Sequence, residues 1–95
     1  MTDQIIKAAG ALEQVCNSVA NTFTTSSVNG AVMTLRVTNL GTTTFLVTVA
    51  NAGANVLSFS LPGATVQYVA KYRGDTMQSN STGANCVAVE VGRYS

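Results

Sequence analysis

The sequence predicts an all-β fold: a small antiparallel β-sandwich, jelly-roll-like, preceded by an N-terminal arm. Three observations carry this. Apolar and polar residues alternate along most of the stretch from Ala31 to Val91, the period of strands with one face in a core. Gly, Asn, Asp and Pro interrupt these runs at short intervals, as in sandwiches and barrels. Thr, Ser, Asn and Gly stand where charge is usual: only 9% of residues are charged, against roughly 25% in an ordinary soluble domain. By comparison with the usual sandwich of about seven strands, six to eight are expected.

The first thirty residues are read as an arm and linking loop, and residues 31–95 as the body of a single domain. Ile5, Ala9, Leu12, Cys16 and Val19 recur at steps of four and three, a helical stripe that Thr2 or Asp3 could cap. Gly10 and Asn17-Ser18 oppose a helix, which leaves extended arms with one early strand as the alternative. Either form suits an arm that docks on a neighbour through Ile5, Leu12, Cys16 and Val19. Residues 21–30 are Thr- and Ser-rich and read as a loop.

The body begins with Ala31 to Thr38, in which Ala31, Met33, Leu35 and Val37 share one face and Thr34, Arg36 and Thr38 the other. Asn39 to Thr42 supplies turn chemistry. A second strand aligns Phe45, Val47 and Val49, and after the turn Asn51–Asn55 a third aligns Leu57, Phe59 and Leu61. Pro62-Gly63 predicts a type II turn with positive φ at Gly63. A fourth strand, Thr65 to Tyr72, is expected to face inward with Val66, Tyr68 and Ala70. Arg73-Gly74-Asp75 is a bend or bulge, Thr76–Gln78 a short strand, and Ser79–Asn85 an exposed loop. The last strand, Cys86 to Val91, is expected to bury Val87, Val89 and Val91, with Glu90 outward and Cys86 on the face opposite the valines.

Composition also bounds the chemistry. The chain has no histidine and four acids (Asp3, Glu13, Asp75, Glu90), so the usual base of a Ser or Cys nucleophile is missing. Asp75 and Glu90 could meet in space, but nothing marks them for glycosidic chemistry. No enzyme, cofactor or metal site is expected. Cys16 and Cys86 read as buried small hydrophobes, with a disulfide within the domain or between subunits as the alternative. The five basic residues are scattered apart from Lys71 and Arg73 and the net charge is +1, so no nucleic-acid footprint is expected. No apolar run reaches the ~18 residues of a membrane span, and the N-terminus lacks the pattern of a signal peptide; synthesis in a cytoplasm is the expectation. Arg73-Gly74-Asp75 and Asn80-Ser81-Thr82 match an adhesion tripeptide and a glycosylation acceptor, and both read as chance matches in exposed turns. Exposed Thr and Ser ladders, or Tyr68, Tyr72 and Tyr94, would serve a glycan-binding surface, although Tyr68 reads as core. Small size and low charge together favour a homo-oligomer.

The run Ala31 to Ala50, with Leu61-Pro62-Gly63-Ala64-Thr65, Lys71 to Met77 and Val87 to Tyr94, resembles the small β-sandwich virion proteins of tailed phages, particularly of cyanobacteria. The likeness covers about two thirds of the chain and rests on pattern and spacing; the cysteine pair and the N-terminal stripe depart from it. It implies a capsid decoration, tail or fibre component in the virion, assembled in the host cytoplasm, that docks on the major capsid protein or other virion proteins through its N-terminal arm (Thr2 to Asn21), exposed edge strands and sheet surfaces. A weaker resemblance, to jelly-roll subunits of bacterial spore appendages, implies an extracellular fibre in which arms and cysteines cross-link neighbours.

Overall fold

The computed structural model describes residues 6–7, 12–24 and 31–93. Its strands are β1 (Ile6–Lys7), β2 (Gln14–Val15), β3 (Val32–Asn39), β4 (Phe45–Asn51), β5 (Ala54–Leu61), β6 (Val66–Tyr72), β7 (Thr76–Ser79) and β8 (Cys86–Arg93). They form two antiparallel sheets. One runs β1-β8-β3-β6, with β2 also paired to β8; the other runs β5-β4-β7. An isolated bridge from Asn21 to Met77 continues the second sheet beyond β7. From β3 onward the chain changes sheet at every connection except the β4–β5 hairpin, which is the jelly-roll order.

The core lies where the alternating rows of the two sheets meet. Met33, Leu35 and Val37 of β3 face Phe45, Val47 and Val49 of β4, and Leu61, Val69, Met77 and Ala88 complete the layer. The β3 and β4 rows are those expected from the sequence. Asn39 is fully buried at the end of β3. Its amide donates to the carbonyls of Thr43 (2.7 Å) and Leu61 (3.0 Å), and its Oδ1 accepts from the Gly41 amide. One side chain thus ties the β3–β4 turn to the end of β5.

Two strands present the opposite face to the one expected. Antiparallel partners share a face, and β3 pairs Met33 with Lys71, Leu35 with Val69 and Val37 with Gln67. The inward row of β6 therefore contains Val69 and Lys71, both buried, while Val66 and Ala70 are exposed and Tyr68 is half-buried. Hydrophobicity favoured the wrong row because the aliphatic stem of a lysine can line a core. In the same way β8 pairs Leu35 with Glu90, Val37 with Ala88 and Asn39 with Cys86. Glu90 is buried, not outward. Val87 and Val91 are also buried, on the other side of the sheet, and Cys86 stands opposite the valines as expected.

The Pro62-Gly63 turn also differs. Positive φ falls on Ala64 (59°), not on Gly63. Gly63 is needed for space: a Cβ there would lie 2.6 Å from the Thr42 carbonyl oxygen. The β4–β5 hairpin turns through Ala52 and Gly53, with φ of 51° and 85°. Two successive positive values mark the tight turn whose twist suits a two-residue hairpin.

The described part of the arm, residues 12–24, contains no helix. β2 pairs with β8, Cys16 is fully buried, and Phe23 enters the core. The helical stripe does not form across Leu12, Cys16 and Val19, since a strand at Gln14–Val15 breaks its period. Ile5 and Ala9 lie outside the described residues.

Candidate functional site

The most open feature of the sandwich is the flank where β5 ends one sheet and β6 ends the other. Each has one strand partner, β4 and β3, and the outer edge of each is unpaired among the described residues. The reason is local. Phe59 opposes Val47 and Leu57 opposes Val49, so both share the core-facing row, but cover runs out along it: Phe59 packs only partly against the core. Phe59 is half-buried and Leu57 is exposed. The third-strand row expected to be core is therefore buried only at Leu61. Two hollows of about 350 Å³ each lie along this flank. Phe59, Gln67 and Val69 line one; Val49, Val56 and Lys71 line the other; Leu57 borders both.

Around the second hollow stand Val32, Val56, Leu57 and Tyr72, exposed between 43% and 63%. Single exposed apolar residues are ordinary, but a group of four along one flank is the kind of surface that marks an interface. β5 also carries no charged residue and no proline over its eight residues. Those are the devices by which exposed edge strands usually resist pairing with another chain.

At one end of the flank lies a buried charged cluster. The Lys71 ammonium donates to the carbonyls of Asp75 (2.8 Å) and Tyr72 (3.2 Å) and to the Met33 sulfur (3.4 Å). Burial lowers its pKa, and the nearby Asp75 and Glu90 carboxylates oppose that shift. Arg73 pairs with Glu90 at 2.8 Å, and Asp75 Oδ1 accepts from the Asn51 amide at 2.6 Å. Glu90 Oε1 is buried without a hydrogen-bond partner among the described residues. Asp75 and Glu90 thus do come near one another, around Lys71. Each carboxylate already has a structural partner, which fits a pinning role for the turn Tyr72–Asp75, closed by the Asp75 amide on the Tyr72 carbonyl (3.0 Å). Arg73-Gly74-Asp75 is accordingly not a solvated tripeptide, because Asp75 is buried.

The two cysteines form the third feature. Gln14 opposes Ala88 and Val15 opposes Val87, so the next step places Cys16 opposite Cys86. The Cys16 amide donates to the Cys86 carbonyl at 2.8 Å. Both are free thiols with no exposure, and as opposed residues on paired strands their side chains lie beside each other on one face. That proximity favours the thiolate at Cys86, whose pKa falls to about 7 against the opposing effect of burial. The same proximity, with burial, pushes the Cys16 thiol up. Ser79 closes the pocket, its hydroxyl donating to the Cys16 carbonyl at 2.7 Å.

Of the residues expected to form a docking arm, Leu12 and Val19 are exposed, at 84% and 71%. Cys16 is not available to a neighbour, because it belongs to the core beside Cys86. Exposed edge strands and sheet surfaces were expected to supply docking area, but the sequence did not say which strands would be edges; among the described residues β5 and β6 are unpaired on their outer sides. Asn80, in the loop expected to be exposed, is exposed but bound: its Oδ1 accepts from the Leu46 amide at 2.9 Å. A polar hollow of about 310 Å³ lies between this loop and Thr43–Phe45. Of the tyrosines named for a glycan surface, Tyr68 and Tyr72 border the two flank hollows instead, and Tyr94 lies outside the described residues. No group of three or more His, Cys, Asp or Glu residues suited to a metal occurs among the described residues. Comparison with family models, with curated proteins and with solved structures finds no match to this chain.

Proposed function

We propose that the chain is a non-enzymatic building block of a larger assembly, and that this assembly is the virion of a tailed phage. In this reading it is a capsid decoration protein that self-associates and docks on the major capsid protein or another virion protein. The observation that supports it is the open β5–β6 flank. The outer edges of β5 and β6, strands of eight and seven residues, are unpaired among the described residues, and Val32, Val56, Leu57 and Tyr72 stand exposed around one hollow between them. At about 3.3 Å per residue strands of that length give a contact line of roughly 25 Å. A specific interface takes about 800 Å² from each partner, and pairing along a strand edge is an established way to supply it. The phage assignment itself rests on the sequence resemblance. The appendage-fibre alternative draws less support, since it would have the cysteines join neighbours and both are enclosed within one domain.

Capsids of a phage encoding this chain, assembled without it, provide the test. Added chain should sediment with the capsids in a fixed ratio, and Leu57→Lys should abolish that binding. A folded chain that remains wholly in the supernatant contradicts the virion reading.

A further inference from the structure

We infer that Cys16 and Cys86 are a disulfide-forming pair that locks the segment of residues 12–24 onto the last strand within one chain. Three independent pieces of geometry carry this. Strand register places the two residues directly opposite each other, and the 2.8 Å bond from the Cys16 amide to the Cys86 carbonyl fixes that register at the cysteines themselves. Opposed residues on neighbouring antiparallel strands have Cα atoms about 4.5–5.5 Å apart, inside the range of about 4.4–6.8 Å that a disulfide spans. Both side chains are also fully buried, sealed from solvent. A bond formed there is confined to its own chain, which separates this site from an intersubunit cross-link.

The oxidant is a low-molecular-weight disulfide such as glutathione disulfide. The Cys86 thiolate attacks one of its sulfurs and expels one glutathione thiolate, leaving a mixed disulfide on Cys86. Cys16 then loses its proton to the released thiolate and displaces the second glutathione. Two protein thiols become one disulfide, and one glutathione disulfide becomes two glutathione molecules. Access to the buried sulfurs comes from local opening of β2, a two-residue strand on the sheet edge, and short edge elements open at lower free energy than a core strand. The consequence is a domain whose first segment is held by packing when reduced and by a covalent bond when oxidised. The inference does not depend on the assembly reading.

The test uses the full chain equilibrated with reduced and oxidised glutathione, starting both from the folded state and during refolding from denaturant, so that slow access is not mistaken for inability. After acid quench and alkylation, intact mass should show the loss of two hydrogens and no alkylated cysteine. The product should run as a single chain without reductant. Its melting temperature should exceed that of the reduced chain by about 10 °C. Cys16→Ser and Cys86→Ser should each give only a free thiol or a glutathione adduct. Two alkylated cysteines after both routes, or chains joined to one another in place of the internal bond, overturn the inference.

Discussion

Gly63 shows how one hydrogen atom can decide a connection. The Thr42 carbonyl sits where any side chain would begin, and backbone atoms cannot swing away as a flexible side chain could. Gly63→Val should therefore cost at least about 2 kcal/mol by overpacking, whereas Pro62→Ala should change stability by less than about 1 kcal/mol. Denaturant titration of both variants checks this, and an unperturbed valine variant would contradict the close approach. Asn39 supports the same corner from below. Asn39→Ala would leave buried carbonyls without a donor, at about 1–3 kcal/mol. Ala52 is the converse case, an alanine at positive φ in a turn that favours asparagine or glycine. Ala52→Asn should stabilise by about 0.5–1 kcal/mol, seen as a raised denaturation midpoint.

Lys71 makes a prediction in pH. Its folded pKa lies below its ordinary value of 10.5 because burial disfavours the ammonium. Between those two values the unfolded chain holds a proton that the folded chain lacks, so stability rises with pH there. The penalty is full below the folded value and gone above the ordinary one. The difference in unfolding free energy between wild type and Lys71→Met should therefore change with pH over that interval, in favour of wild type as pH rises. A pH-independent difference would contradict the assignment.

Among the elements, β3 and β4 were legible because each is a centre strand whose one apolar row meets the core. β6 and β8 were legible as strands but not in their facing, since only pairing with β3 decides which row turns inward. Lys71 and Glu90 are the residues that defeat the hydropathy pattern there, and they do so as parts of one buried charged cluster. β5 was legible in period yet only partly buried, because an edge strand needs a partner that the described residues do not provide. The early segment was the hardest to place. Its stripe at steps of three and four suggested a helix, but Cys16 matters through a contact with Cys86 seventy positions away in the sequence, which no local pattern contains. An arm that only docked on a neighbour could be removed, by truncating residues 1–20, with the body left folded. With β2 edging β8 and Cys16 filling the core, the truncation should instead destabilise by at least about 3 kcal/mol, enough to unfold much of a domain this small. A cooperative unfolding transition of unchanged midpoint would show that the segment is dispensable.

For the whole molecule, a jelly roll with few charges and one unclosed flank is consistent with a subunit whose fold is completed by neighbours. The charged cluster and the thiol pair hold the sandwich together at separate points, while the β5–β6 flank faces outward with an apolar rim. Light scattering of the purified chain over a dilution series, for wild type and Leu57→Lys, tests the central claim most directly. Wild type should have a mass that is a multiple of one chain, and the lysine variant should fall to a single chain with its strand content unchanged. A wild-type protein that stays a single chain at every concentration, or a lysine variant that assembles undiminished, would contradict the flank as an interface.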